Sequence, residues 1–247
     1  MIRACVAVLI ALTVSLPNPS AQDSPRRGVI VTAADGVHLA GDFYSSGKPG
    51  QGLLIFHQCS RDRLIWERFV TTLARSGRHV LVLNPRGIGD SQGAQWDYDG
   101  SLEHALDYWR KNWSADAESA YQWLIAQPGV QRDNVIAAGA GCGAFLALLT
   151  AERHYPTVRS VVFFSDFDDD STRKFLAGAS RLAIFSAVSE QDPMSFAAAK
   201  EIHQISHNPA NRLLSYPEQA HGFRLMENHP ELEATLIEWL EERRAGR

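Results

Sequence analysis

The sequence predicts an α/β protein: a mostly parallel β-sheet flanked by helices on both faces, with a minimal lid. Three observations predict it. Short apolar runs alternate with longer segments of helical periodicity from residue 52 to the C-terminus. Most of those runs are apolar throughout, as strands covered on both faces require. The residues able to do chemistry fall just after the runs, where the carboxyl ends of parallel strands meet loops.

The elements follow in order. "GVIVTAADGVHLAGDFY" (28–44) is an expected hairpin, two β-rich runs around Asp35-Gly36. "GLLIFH" (52–57) is short enough for a buried strand. "RLIWERFVTTLARSG" (63–77) spaces Leu64, Phe69 and Leu73 as a helix does and stops at Gly77. "HVLVLN" (79–84) is a second buried strand. "SADAESAYQWLIAQPG" (114–129) is a helix with Ser114 as its N-cap and a Pro-Gly stop. "NVIAAG" (134–139), "RSVVFFS" (159–165), "RLAIFSAV" (181–188) and "NRLLSYP" (211–217) are strands. "GAFLALLTAERH" (143–154), "PMSFAAAKEIHQIS" (193–206) and "HPELEATLIEWLEERR" (229–244) are helices. Only 92–113 and 166–180 are long enough to form a small lid.

Residues 1–21 are expected to be a signal peptide. Arg3 precedes the apolar "ACVAVLIALTVSL" (4–16), which is too short to cross a bilayer comfortably, and polar residues follow with cleavage near Ala21. A retained anchor is the alternative. Export to a periplasm or the exterior is expected, and residues 22–247 form a single domain. Of three cysteines, Cys5 leaves with the leader. Cys59 and Cys142 remain, an even pair in an oxidising compartment.

Composition narrows the function classes. The chain is 45% hydrophobic and 21% charged, which supplies a core and argues against disorder. Its formal charge is −4 with no basic run, so nucleic acid is not an expected partner. No organic cofactor is implied, because "GAGCGA" follows a late strand and its glycines serve the turn. His203 and His207 lie four apart without a third ligand, and "DFDDD" (166–170) lacks the ligand spacing of a calcium loop. No metal site is assigned. The acidic run is expected to be a solvated loop.

"HQCSRDRLIW", "NPRGIGDSQG", "GAGCGA", "NPANR" and "AHGF…ENHPEL…IEWL" appear in that order. Together they resemble the α/β-hydrolase superfamily, and within it the small bacterial dienelactone-hydrolase-like ester hydrolases. The resemblance runs from about Gly28 to the C-terminus. It implies an α/β-hydrolase fold and roles for particular residues. His221 takes the position of the general base and Asp192 that of the acid orienting it, with Glu190 as its nearest rival. His57 and Gln58 begin the loop that donates one oxyanion-hole N–H, and the Cys142 backbone supplies the other. The ligand class implied is a small-molecule ester or carboxylate. "RGIGDS" is structural on this reading, with Arg86 holding neighbouring loops.

The nucleophile departs from the pattern. Aligning Gly139 and Gly143 with the outer glycines of Gly-x-nucleophile-x-Gly puts Gly141 at the centre, where the resembling proteins carry serine. Two readings stay open. In the first, the chain is an impaired or non-catalytic hydrolase relative. In the second, a one-residue shift makes Cys142 the nucleophile, with His221 and Asp192. The strand register opposes the shift. In this fold the turns carrying Cys59 and Cys142 are neighbours, so a disulfide between them is one expectation and two buried thiols the other. Such a bridge would remove Cys142 as a free nucleophile.

Overall fold

The structure is a computed structural model that describes residues 26–45 and 47–244; the leader expected over residues 1–21 lies outside them. Eight strands form one sheet: β1 (Arg26–Thr32), β2 (His38–Tyr44), β3 (Gly50–Phe56), β4 (His79–Leu83), β5 (Val130–Ala140), β6 (Val158–Phe164), β7 (Ala183–Ser189) and β8 (Arg212–Tyr216). Their spatial order is β1-β2-β4-β3-β5-β6-β7-β8. β2 runs antiparallel to both neighbours, and every pairing from β4 to β8 is parallel. β3 and β4 are buried along their whole length, which explains the apolar runs Leu53–Phe56 and Val80–Leu83.

Helices cover both faces. On one face lie α1 (Glu67–Arg75) and the C-terminal α8 (Glu231–Glu242), which buries Leu236, Trp239 and Leu240 beside Ile55, Val82 and Phe185. On the other lie α3 (Ser114–Ile125) and α4 (Cys142–His154), with Phe145 and Leu148 against Leu54, Ala137 and Val161. α6 (Pro193–Ile205) adds Ile202 to that layer. Among the described residues, no helix is long and apolar enough to cross a membrane.

Two local expectations are corrected. Residues 63–66 form a short 3-10 turn ahead of α1, so Leu64 points outward while Phe69 and Leu73 are buried. Ser114 does not cap a helix. α2 (Leu102–Tyr108) and a π turn (109–113) run straight into α3, and Ser114 Oγ donates back to the Arg110 carbonyl. The two stretches available for a lid hold α2 with the π turn, and α5 (Asp170–Gly178).

The acidic run 166–170 is not a solvated loop; only Asp170 faces solvent freely. Asp169 caps α5 through the Ser171 and Thr172 N–H groups and pairs with Arg110. Asp168 pairs with Arg173 at 2.8 Å. Asp166 is fully buried, with Ser186 Oγ 2.5 Å from its Oδ2, and Ser186 Oγ also lies 3.0 Å from His203 Nε2. These three side chains have the composition of a hydrolytic triad. Yet the serine sits between the other two and is 0% exposed, so no ester can reach it.

Burial pushes the Asp166 carboxyl up to about 8 from an ordinary 3.8. Between those values the folded chain holds a proton that the unfolded chain has released, so this group's contribution falls as pH rises through that window. Burial pushes His203 down to about 4, so its contribution falls as pH drops below 6.5. Asp166→Asn removes only the first effect. Its urea midpoint should decline less than the parent's between about pH 5 and about pH 8. Parallel declines in the two proteins would mean that Asp166 is ionised in the fold.

Candidate active site

The site is built around the turn between β5 and α4. Gly139 pairs with Phe56 on β3 and Phe163 on β6, so the strand's register is held from both sides. A Cβ at Gly139 would lie 2.0 Å from the Gly143 carbonyl oxygen, and one at Gly143 would lie 2.3 Å from the Phe56 oxygen. Only glycines allow three backbones this close. The apex of the turn is Gly141, at φ 54 and ψ −119, a left-handed φ that side-chain-bearing residues rarely adopt. Its N–H bonds the Phe164 carbonyl at 2.9 Å. Cys142 is already the first residue of α4.

The acid and base meet at this apex. His221 lies in the loop after β8, and its Nδ1 donates to Asp192 Oδ2 at 2.6 Å. That bond leaves Nε2 as the acceptor nitrogen. Nε2 faces the apex: a Cβ built on Gly141 would be 2.9 Å from it. Asp192 follows β7 and also caps α6, accepting from the Ser195 N–H at 3.4 Å. Burial works to raise its carboxyl, but the bonds from His221 and Ser195 prevail and hold it below the ordinary range. Glu190 instead accepts from Ser215 at 2.8 Å.

Two serines outside the sequence motifs hold the histidine loop. Ser165, itself at φ 64, accepts the Gly222 N–H on its Oγ at 2.8 Å. Ser189 Oγ accepts from Ala220 N–H at 3.3 Å and donates to the Glu218 carbonyl. A serine at the end of a strand carries no distinctive sequence signal, so neither was anticipated.

His57 ends β3 facing inward, away from the cleft. It is 2% exposed, its Nδ1 donates to the Gln58 carbonyl at 2.7 Å, and burial pushes its imidazole down to about 4. Gln58 does reach the site. Its Oε1 accepts from Phe223 N–H at 3.3 Å, and its Cγ lies 3.6 Å from the Cβ position of residue 141. Cys59 is bonded to Cys142, with Cα atoms 5.8 Å apart at a sequence separation of 83. The disulfide thus ties the loop after β3 to the start of α4, and Cys142 carries no free thiol in this state.

Gly141, Cys142, Gln58, Cys59 and His221 line one cleft of about 1110 Å³. Its far wall is apolar, with Trp96, Tyr98, Trp109 and Phe167 among its residues. Arg86 holds that wall in place, as the sequence suggested. Its guanidinium bonds buried Asp116 at 2.7 Å and Asp35 of the β1–β2 turn at 2.6 Å, and its carbonyl accepts from the Trp113 indole. Among the described residues, no group of three or more His, Cys, Asp or Glu could hold a metal ion.

A glycine-flanked elbow after β5, an acid after β7 and a histidine after β8 define the α/β-hydrolase class. This chain belongs to the alpha/beta hydrolase fold family, whose profile matches residues 52–226. Solved structures agree in fold. An esterase of Pyrococcus furiosus superposes with TM-score 0.69 at 16% identity, covering 93% of this chain and 95% of its own. A dienelactone hydrolase of Anabaena variabilis superposes with TM-score 0.67 at 18% identity, covering 90% and 99%. An uncharacterized protein of Mycobacterium tuberculosis is 27% identical over 143 residues, 57% of this chain and 46% of that protein. The chain therefore spans about half the length of the curated relatives it matches.

The elbow's backbone contact makes a direct prediction. Gly143→Ala forces a methyl against the Phe56 and His57 carbonyls, 2.3 and 2.6 Å away, and neither can retreat without breaking β3. The loss of stability should be about 3 kcal/mol or more by urea denaturation. A loss within about 0.5 kcal/mol would show the turn to be looser than this geometry.

Proposed function

We propose that this chain is a disarmed relative of carboxylic-ester hydrolases, exported from the cytoplasm, that binds a small-molecule ester or carboxylate and turns it over poorly or not at all. The observation that carries the proposal is the residue at the elbow apex. Gly141 occupies the backbone position that aims its absent side chain at His221 Nε2. A glycine has no atom with which to attack a carbonyl. The rest of the apparatus supports binding of an acyl group. His221 and Asp192 are coupled, and the backbones of the loop after His57 and of Cys142 flank the apex as oxyanion donors. Residual activity above background is compatible with this reading, since binding and oxyanion stabilisation survive loss of a nucleophile.

The second reading makes Cys142 the nucleophile of a working hydrolase. It requires the bridge to be reduced and Cys142 to leave the first turn of α4 for the apex. Gly139 and Gly143 oppose that shift, because each would be replaced in its close contact by a residue with a Cβ.

The test compares the parent and Gly141→Ser on short-chain p-nitrophenyl esters, with and without a reductant. The serine Cβ needs His221 to yield by a few tenths of an ångström, which a half-exposed side chain can do. Gly141→Ser is expected to gain at least about 100-fold in kcat/KM, while the strained φ lowers its stability by about 1–3 kcal/mol. Parent activity that appears on reduction and is abolished by iodoacetamide would replace this proposal with the Cys142 mechanism.

A further inference from the structure

We infer that the Cys59–Cys142 bridge is itself a reactive site: a thiol–disulfide exchange centre for small organic thiols, with His221 carrying the protons. The inference shares the His221–Asp192 pair with the proposed function. It requires neither a nucleophile at position 141 nor a bound ester.

Three independent features meet here. First, both bridged residues line the same cleft as His221, so a thiol entering the cleft meets the bond and a base together. Second, the two sulfurs belong to unequal residues. Cys59 is only partly buried in a loop, whereas Cys142 is 4% exposed at the first position of the 13-residue α4. Attack is directed to the less buried partner, Cys59. The leaving sulfur of Cys142 belongs to the first residue of α4, and a helix N-terminus favours a thiolate and so makes it a better leaving group. Third, His221 Nε2 is held at the apex, 2.9 Å from the Cβ position of residue 141, the chain neighbour of Cys142, and no hydroxyl at residue 141 competes for it.

The steps balance. An incoming thiol gives its proton to His221 Nε2. The resulting thiolate sulfur bonds to Cys59 Sγ as the Cys59–Cys142 bond breaks. The electron pair of that bond goes to Cys142 Sγ, which takes the proton back from His221. A second thiol then attacks the mixed disulfide on Cys59, releases an organic disulfide and leaves its proton on Cys59. Two thiols are oxidised and the bridge is reduced to two thiols. An organic disulfide running the sequence backwards restores it. The His221 cycle of base and then acid is the one an acyl transfer uses, with a thiolate as leaving group. The aromatic wall of Trp96, Tyr98, Trp109 and Phe167 favours a thiol with an aromatic or apolar body.

The test uses the full oxidised chain in native buffer with two probes, glutathione and the aromatic-bodied alkyl thiol benzyl mercaptan, both protonated thiols at neutral pH. Samples are quenched, alkylated and weighed by mass spectrometry. The bridge should open while circular dichroism stays native, and faster with the aromatic probe. His221→Gln should slow opening by at least about 10-fold. With glutathione disulfide, Cys142→Ala should accumulate a mixed disulfide on Cys59, and Cys59→Ala should accumulate none on Cys142. Opening only at urea concentrations that unfold the chain would overturn the inference. So would an unchanged rate in His221→Gln, or labelling of Cys142 in Cys59→Ala. Should either cysteine variant fail to fold, the parent and His221→Gln rates decide alone. Ester hydrolysis by Gly141→Ser is read separately, so either result can fail without the other.

Discussion

The site depends on a contact between backbones. Gly139 and Gly143 let the end of β5, the start of α4 and the end of β3 approach more closely than any side chain would allow. That contact fixes which residue stands at the apex, because the strand on either side is paired in register with β3 and β6. It also commits Cys142 to the helix and brings the Cys59 loop within bonding distance. The chemistry available at position 141 is thus decided by packing several residues away from it.

The acid–base arm is held by different means. His221 takes its tautomer from Asp192, and Asp192 is fixed as the cap of α6. Ser165 and Ser189 pin the histidine loop on either side, using strand ends that the sheet already immobilises. None of these bonds involves the side chain at residue 141. A glycine at the apex therefore leaves the arm in place, since nothing that supports the arm rests on a side chain at residue 141. The aromatic wall is equally independent, resting on Arg86 and the buried carboxylate of Asp116.

Much of this was legible in the sequence. Strand composition and the glycine spacing of 139–143 report local constraints, and local constraints leave local signatures; the roles of Asp192 and His221 were implied by the family resemblance instead. The hairpin at Asp35-Gly36 was legible for the same local reason, while the linking role of Arg86 came with the resemblance. What was not legible depends on distant partners. Asp166 reads as one of several solvated acids until β7 and α6 close over it. Ser114 looks like a cap because nothing in residues 102–113 announces that the chain is already helical. His57 carries the motif, yet its side chain turns into the core and the neighbouring Gln58 reaches the site.

The elbow has exchanged strain for stability. A side-chain-bearing residue held at φ 54 stores roughly 1–2 kcal/mol that glycine does not. The bridge adds to the same account, closing a loop of 83 residues and contributing about 4 kcal/mol by restricting the unfolded chain. The bridge restrains the cleft by tying the Cys59 loop to the start of α4. A hydrolase spends such strain to present its nucleophile; a cleft that only binds, or that uses the bridge itself, has no use for it. On the readings proposed above, Gly141 and the Cys59–Cys142 bond form one coherent arrangement, an apex free of backbone strain beside a sulfur pair that reacts.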